Sequence, residues 1–245
     1  MSATSAARRL AAEGVGTAVL VAAVVGSGIM ATSLTDDVAL ALLVNAVSTV
    51  AALGVLIWAF APVSGAHLNP AVTLAALARG GIAPRAAAAY VAVQCGGALA
   101  GVALADVMFG LPAWAPSATA RAGVGLLLGE AVATAGLVWV IGLLGERGAG
   151  RLAPLLVPAW IGAAYFFTSS TSFANPAVTL GRMLTDTFAG IAPASVAPFV
   201  AAQLLGAALG VAAGVLTSTG RSRTVVATTD PRPTPTASAV VSPTP

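Results

Sequence analysis

The sequence predicts an all-α membrane protein with six transmembrane helices and two re-entrant half-helices, arranged as an inverted repeat. Hydrophobic residues make up 58% of the 245 residues and charged residues only 8%, which is too little polar surface for a soluble domain of this size. A second observation is a repeated phrase, Asn-Pro-Ala-Val-Thr-Leu, at residues 69–74 and 175–180. Each copy is too short to span a bilayer, and both follow a long apolar stretch.

Six segments are apolar over about the 20 residues that a spanning helix needs. They cover residues 10–31, 38–61, 84–108, 122–144, 152–170 and 194–217. Together they predict one membrane domain over residues 1–217, with halves of about 8–108 and 122–217. Residues 218–245 are rich in Thr, Ser and Pro, and we expect them to form a disordered cytoplasmic tail.

The two halves repeat each other beyond the shared phrase. Each contains a span with a glutamate, a second span, an Asn-Pro-Ala segment and a span with a glutamine; these are Glu13 and Gln94, then Glu130 and Gln203. Because each half crosses the membrane three times, the second half is inverted relative to the first. The two short segments therefore enter from opposite faces and meet near the middle.

The repeated phrase predicts the centre of a pore. Proline is favoured at the first helical position and asparagine is a strong N-cap, so half-helices should begin at Pro70 and Pro176, with amide donors of Asn69 and Asn175 aimed at the lumen. Two positive helix ends facing each other repel cations, protons included, and let neutral solutes pass. The predicted pore motifs are Asn69, Pro70, Ala71 and Asn175, Pro176, Ala177.

Two glutamates lie inside predicted spans, where an ionisable group is costly without partners. Glu13 and Glu130 could relay protons or brace the re-entrant loop of their own half; their symmetric placement favours bracing. His67, the one histidine, could line the pore, brace its loop or sense pH, but one histidine cannot form a metal site. Cys95, the one cysteine, is expected to serve packing. We therefore expect no metal and no cofactor.

Charge sets the expected orientation. All 11 basic residues are arginine, and with six spans that start inside, only Arg121 and Arg182 fall outside the cell. The positive-inside rule then places both termini in the cytoplasm of a plasma membrane. The arginines predicted inside are Arg8, Arg9, Arg79, Arg85, Arg147, Arg151, Arg221, Arg223 and Arg232. This asymmetry accounts for the basic character without nucleic acid as a partner.

These motifs resemble the major intrinsic protein family, the aquaporins and aquaglyceroporins, over about residues 8–217. The resemblance implies an aquaporin-like channel domain in a homotetramer, each subunit with its own pore for a neutral solute across the lipid bilayer. It implies no enzyme activity and no cofactor. The absence of lysine and the abundance of alanine suggest a bacterial source.

The resemblance also implies a selectivity filter built from four positions. Counted from the motifs without gaps, these are Thr49, Ala163, Ser172 and Val178. A one-residue gap would instead bring Phe173 into the filter. Family members usually carry an arginine where this chain has Val178, and Arg182, about one helical turn further on, is expected at the rim of the pore. Asn45, one turn before Thr49, either shares its face or bonds a neighbouring helix.

Small, uncharged filter residues predict a wide opening that admits neutral polyols. The leading prediction is a passive channel for small uncharged solutes, such as glycerol or arsenite and other metalloid hydroxides; arsenite enters because channels with such a filter resemble members linked to arsenic resistance. Alternatives are a water-selective channel, an ammonia or urea channel, and a non-conducting structural membrane protein. An active transporter is disfavoured, since the chain has no ATP-binding loop.

Overall fold

The computed structural model describes residues 5–218 and is all-helical in its regular structure. The helices are α1 (Ala6–Leu34), α2 (Val38–Ser64), α3 (Pro70–Ala78), α4 (Pro84–Met108), α5 (Val124–Glu146), α6 (Ala153–Phe167), α7 (Pro176–Arg182) and α8 (Pro193–Thr217). Within these residues, six helices are long and apolar enough to cross a membrane, and α3 and α7 are the half-helices. The predicted fold class is confirmed. The expected disordered tail lies outside the described residues, apart from Ser218.

Local sequence signals fix where the helices begin and end. Asp37 caps α2, since its Oδ1 accepts hydrogen bonds from the backbone N–H groups of Ala39 and Leu40 at 2.8 and 3.1 Å. The helix ends at Gly65, which has φ +90°, a left-handed conformation that glycine adopts without steric cost. Proline occupies the first position of α3, α4, α7 and α8, where its missing N–H costs nothing.

The two halves pack by the same contact. In the first half α4 crosses α1, and a Cβ at Gly97 or Gly101 would collide with the backbone carbonyl of Gly14 or Ala18. In the second half α8 crosses α5 in the same way, with Gly206 and Gly210 against the carbonyls of Ala131 and Ala135. Small residues let membrane helices approach this closely, so the predicted internal repeat extends to the packing of its helices.

Chain direction brings the half-helices together at their N-termini. We call the face where α1 begins and α8 ends the terminal face, and the other the opposite face. Since the long helices alternate in direction, α3 runs from the middle of the bundle towards the terminal face and α7 runs towards the opposite face. The first turns of both half-helices therefore meet in the middle of the bundle.

Asn45 takes the second of its two predicted roles. Its Nδ2 donates hydrogen bonds to the Val24 carbonyl at 2.7 Å and to Ser27 Oγ at 2.9 Å, and both acceptors belong to α1. The side chain is 2% exposed. Asn45 therefore joins α2 to α1. Thr49, one turn further along α2, lines the cavity described below.

Candidate pore

A cavity of about 340 Å³ runs between the two halves and past both half-helix N-termini. Four long helices contribute stripes of side chains, most of them spaced three or four residues apart, as expected for one face of a helix. These stripes are Leu20 and Val24 of α1; Thr49, Leu53 and Ile57 of α2; Leu137, Val138 and Ile141 of α5; and Val157, Ile161 and Tyr165 of α6. The re-entrant segments close the ring, so the cavity wall is mostly apolar.

The two asparagines meet in the centre of the cavity. Asn69 Oδ1 accepts a hydrogen bond from Ala71 N at 2.8 Å, and Asn175 Oδ1 accepts one from Ala177 N at 3.0 Å. Each amide also donates across to the other segment: Asn69 Nδ2 to the Ala174 carbonyl at 2.7 Å and Asn175 Nδ2 to the Leu68 carbonyl at 2.8 Å. Each asparagine therefore donates one amide N–H to the opposite loop, and its second N–H is left to donate into the cavity that both residues line.

The chain before each asparagine adopts an alternating backbone. Ala66 and Leu68 have φ of +49° and +50°, and their equivalents Ser172 and Ala174 have φ of +53° and +46°. Residues other than glycine adopt this left-handed region at a cost. Such a backbone persists only where its surroundings determine it, and the buried glutamates provide that.

Glu13 braces the first segment with four hydrogen bonds. Its Oε1 accepts from Ser64 Oγ at 2.6 Å and from the backbone N–H of His67 at 2.9 Å. Its Oε2 accepts from the backbone N–H of Leu68 at 2.7 Å and from Gln94 Nε2 at 2.8 Å. Glu13 is fully buried, and these donors replace the water that a buried carboxylate loses.

Glu130 holds the second segment in the same manner. Its Oε1 accepts from the backbone N–H of Phe173 at 2.8 Å, and its Oε2 accepts from that of Ala174 at 2.9 Å and from Gln203 Nε2 at 2.5 Å. Gln203 Nε2 also donates to Thr179 Oγ1 at 2.8 Å, as Gln94 does to Thr73 at 3.0 Å in the first half. These are the contacts that loop bracing requires.

His67 and Phe173 occupy equivalent places in the two segments. The His67 ring lies edge-on to Tyr90 with centroids 5.4 Å apart, and the Phe173 ring lies edge-on to Phe199 at the same distance. Both residues border the cavity. The histidine contacts Thr73 as well, Nδ1 to Oγ1 at 3.1 Å. His67 therefore takes part in the bracing network and lies at the cavity wall.

Three of the four predicted filter residues border the cavity, and Ala163 does not. Thr49, Ser172 and Val178 are each at most 4% exposed and line the cavity. Ala163 is exposed on the outside of α6, because it lies two residues from both Ile161 and Tyr165 and so points away from the face they share. The assignment of Ala163 to the filter is therefore wrong. Of the residues near it on α6, Tyr165 lines the cavity, and its hydroxyl donates to Thr49 Oγ1 at 3.2 Å.

Ser172 and Phe173 both border the cavity, so the two readings of the filter are not exclusive. Ser172 Oγ is inaccessible and has no hydrogen-bond partner among the described residues. The Phe173 ring has a different role, since the Arg182 guanidinium carbon lies 3.4 Å from its centroid. Phe173 therefore supports a charged side chain, Arg182, at the cavity wall, whereas the Ser172 hydroxyl is not accessible from the cavity.

Arg182 lies in the cavity wall and not at an exposed rim, which corrects the sequence expectation. It is 4% exposed and borders the cavity one turn after Val178. Its Nε donates to the Ala189 carbonyl. Arg121 lies nearby in the loop between α4 and α5, and donates from Nε to the Gly190 carbonyl at 2.9 Å. Burial lowers the pKa of Arg121, and Glu130 opposes that shift.

Sequence reasoning missed Tyr165 and the burial of Arg182. The signal for Tyr165 was its spacing from Val157 and Ile161, which places all three on one face of α6. The signal for Arg182 was its spacing of four from Val178, which places both on one face of α7. Counting from family positions without gaps concealed the first of these signals.

Six membrane-crossing helices, two half-helices that meet at their N-termini and a cavity through the meeting point define a membrane channel with an inverted repeat. The family model for the major intrinsic protein family matches residues 1–174. The chain belongs to this family. It is a passive channel for small uncharged solutes and not an enzyme.

Known relatives agree with this assignment. The chain is 53% identical to Aquaglyceroporin AqpS of Rhizobium meliloti over 82% of this chain and 85% of the relative. It is 32% identical to Aquaporin TIP4-4 of Zea mays over 70% of this chain and 68% of the relative. The crystal structure of the aquaglyceroporin from Plasmodium falciparum has a similar fold, with a TM-score of 0.64, 21% identity and coverage of 88% of this chain and 97% of that chain.

Proposed function

We propose that this channel conducts uncharged solutes of glycerol size, with trihydroxy arsenite among them, in addition to water. The observation that carries the proposal is the valine at position 178, which lines the same cavity of about 340 Å³ as Thr49. A valine there supplies neither the bulk nor the charge of an arginine. The relative with 53% identity is named an aquaglyceroporin, which supports glycerol as a solute.

Hydrogen bonding at the centre suits a polyhydroxy solute. The second amide N–H groups of Asn69 and Asn175 donate into the cavity, while the side chains that α1, α2, α5 and α6 contribute to its wall are mostly apolar. A solute with hydroxyls on one side and a less polar surface on the other matches such a wall. Arsenite carries three hydroxyls and no charge near neutral pH, so it fits the same requirement.

The charge distribution supports cytoplasmic termini in a plasma membrane. Six arginines lie at the terminal face, and two lie towards the opposite face, where one of them is buried. Those at the terminal face are Arg8, Arg9, Arg79, Arg85, Arg147 and Arg151. By the positive-inside rule the terminal face is cytoplasmic. Protease accessibility of a C-terminal tag in sealed, right-side-out vesicles would test this; cleavage from outside would contradict it.

A homotetramer remains the proposed assembly. Large apolar side chains are exposed on the outside of the bundle, including Trp58 at 73%, Val55 at 64% and Phe166 at 57%. Lipid and neighbouring copies are the two environments that can cover them. Light scattering coupled to size exclusion in mild detergent measures the mass; a monomer under all mild conditions would contradict the proposal.

The filter is tested by narrowing it. Val178→Arg adds bulk and a charge whose interaction with another unit charge reaches about 4 kcal/mol at 4 Å, even at an effective dielectric of 20. We expect the glycerol-to-water flux ratio in proteoliposomes to fall by about tenfold or more, and Thr49→Phe to lower it by bulk alone. Ala163→Phe is the matched control, because that residue faces away from the cavity. An unchanged ratio in both filter variants would overturn the proposed wide filter.

A further inference from the structure

Two arginines lie over the ring of Phe173, which lines the cavity together with one of them, Arg182. The guanidinium carbon of Arg182 lies 3.4 Å from the Phe173 centroid, and that of Arg121 lies 5.1 Å from it. A guanidinium over an aromatic face is held by the ring quadrupole. The ring is itself fixed, since its backbone N–H donates to Glu130 at 2.8 Å and its edge meets Phe199.

Backbone carbonyls also hold the same two arginines. The loop between α7 and α8 offers three consecutive carbonyls: Phe188 and Gly190 accept from Arg121 at 3.4 and 2.9 Å, and Ala189 accepts from Arg182 Nε. Arginine is suited to this because its planar fork of donors holds a fixed orientation. The two guanidinium groups are therefore held in place and do not sweep through the lumen.

The terminal nitrogens of Arg182 are left for the cavity. Among the described residues, no hydrogen bond engages Nη1 or Nη2, and neither atom belongs to the inaccessible polar atoms without partners. The residue is 4% exposed and borders the cavity. The surface it retains is therefore turned to the cavity, with donors at both nitrogens.

We propose that Arg182 is the charged, specificity-determining residue of this channel, acting from one helical turn beyond Val178, where the family's arginine is absent. Its terminal nitrogens donate to solute oxygens in the cavity, and its charge raises the barrier to cations. Phe173 is the positioning residue that holds it. The opening beside Val178 then stays wide while the pore remains closed to protons and metal cations. This inference rests on the proposed function as a solute channel and names the residue that sets its selectivity.

Geometry separates this site from the centre of the pore. Asn175 caps the start of α7 and Arg182 is the last residue of that helix, about two turns away. A solute therefore meets two sets of donors in succession, one fixed by the half-helix caps and one fixed by Phe173. Loss of Arg182 should alter selectivity without removing the central donors.

The experiment measures cation leak and solute flux in the same proteoliposomes. Arg182→Met removes the charge and the donors, and we expect proton leak under an imposed pH gradient to rise by about tenfold or more, since one charge in a low-dielectric constriction is worth more than one decade. The glycerol-to-water ratio should also shift. Arg182→Lys keeps the charge and loses the planar fork, so we expect tight proton exclusion with an altered solute ratio. Arg85→Met, an exposed residue at the terminal face, is the matched control.

A positioning variant keeps the test falsifiable if Arg182→Met is poorly folded. Phe173→Leu removes the ring but leaves its backbone N–H for Glu130, and we expect a proton leak between those of wild type and Arg182→Met. If wild type conducts glycerol and all three variants match it in proton leak and solute ratio, the role of Arg182 is overturned. If wild type conducts no solute above empty vesicles, the proposed function fails instead, and the two failures are thereby distinguished.

Discussion

The two re-entrant segments share a skeleton and differ in what they show to the lumen. In both, a buried glutamate accepts from two consecutive backbone N–H groups, His67 and Leu68 in the first and Phe173 and Ala174 in the second. Both then continue through the same Asn-Pro-Ala-Val-Thr-Leu phrase. The backbone and its bracing are thus duplicated, and the aromatic position before each motif carries the difference.

Because of that difference, the two ends of the cavity wall carry different polar groups. The first segment has an imidazole hydrogen-bonded to Thr73, and the second has a phenyl ring that carries Arg182 on its face. Duplicated bracing fixes the shape of the pore, while unlike side chains at equivalent positions give its two ends different chemistry. Variants that break one feature at a time separate these contributions.

The largest expected effect is loss of bracing. Glu13→Gln and Glu130→Gln replace one acceptor oxygen by an NH₂ group that faces donors, and each buried donor left unpaired costs about 1–3 kcal/mol. Glu13 receives four hydrogen bonds and Glu130 three, so we expect both variants to lower the unfolding temperature in detergent, Glu13→Gln the more. Glu146→Gln, at an exposed helix end, is the control. Unfolding temperatures equal to that control would refute bracing.

The Glu13→Gln and Glu130→Gln variants also test whether the glutamates relay protons. Bracing predicts that solute uptake by wild type is independent of an imposed pH gradient and stays so after Glu→Gln. Uptake that follows the gradient in wild type, and loses that dependence in the variants, would show that the glutamates carry protons.

Helix packing comes next, because both halves use the same glycine contact. Gly101→Ala and Gly210→Ala push a Cβ into the carbonyls of Ala18 and Ala135, and overpacking of this kind costs about 1–3 kcal/mol. Gly96→Ala, on the same helix as Gly101, meets nothing within 4 Å. We expect it to be neutral or slightly stabilising, by up to about 1 kcal/mol. If Gly96→Ala destabilises as much as Gly101→Ala, close approach is not the reason for the glycines.

The symmetric centre predicts equal effects from equal changes. Asn69→Asp and Asn175→Asp retain the oxygen that caps the half-helix but lose the donor to the Ala174 or Leu68 carbonyl. We expect a stability loss of about 0.5–1.5 kcal/mol or more, because the cap is kept but a hydrogen bond to the opposite carbonyl is lost, and a marked fall in glycerol flux from either variant. A large flux difference between the two would show that the halves contribute unequally at the centre.

The smallest expected effect is at the unlike aromatic position. His67→Phe makes the first segment resemble the second, keeping a ring for Tyr90 while removing one hydrogen bond to Thr73, worth about 0.5–1.5 kcal/mol. We expect near-wild-type flux with the same pH profile between pH 5.5 and 7.5. A pH-dependent wild-type flux that becomes flat in His67→Phe would assign a pH-sensing role to the histidine.

The fold could be predicted from the sequence because the internal repeat and the hydropathy pattern can both be read directly from the order of residues. The six spans follow from apolar length, with ends that differ from the observed helices by at most four residues, and the half-helices follow from the Asn-Pro pairs. Glu13 and Glu130 could be paired with their loops from symmetry alone. None of these inferences needs knowledge of side-chain direction.

The filter residues could not be predicted by counting from the motifs without gaps. Ala163 and Tyr165 are two residues apart, so a shift of one position exchanges a lumen residue for an exposed one. Arg182 was expected at the rim because it lies about one helical turn beyond Val178, yet the Phe173 ring and the Ala189 carbonyl supply a buried environment for it. These contacts depend on how the loops before and after α7 fold back on the helix, which the sequence does not specify by spacing alone.

The most direct test of the account is the glycerol permeability of proteoliposomes carrying wild type or the double variant Asn69→Leu/Asn175→Leu, measured by stopped-flow light scattering. The double variant removes both cavity donors and both half-helix caps. We expect wild-type permeability to be well above that of empty vesicles and independent of a pH gradient. The double variant should be close to empty vesicles at equal amounts of folded protein. Wild-type permeability in a well-folded double variant would contradict the pore through the two half-helices.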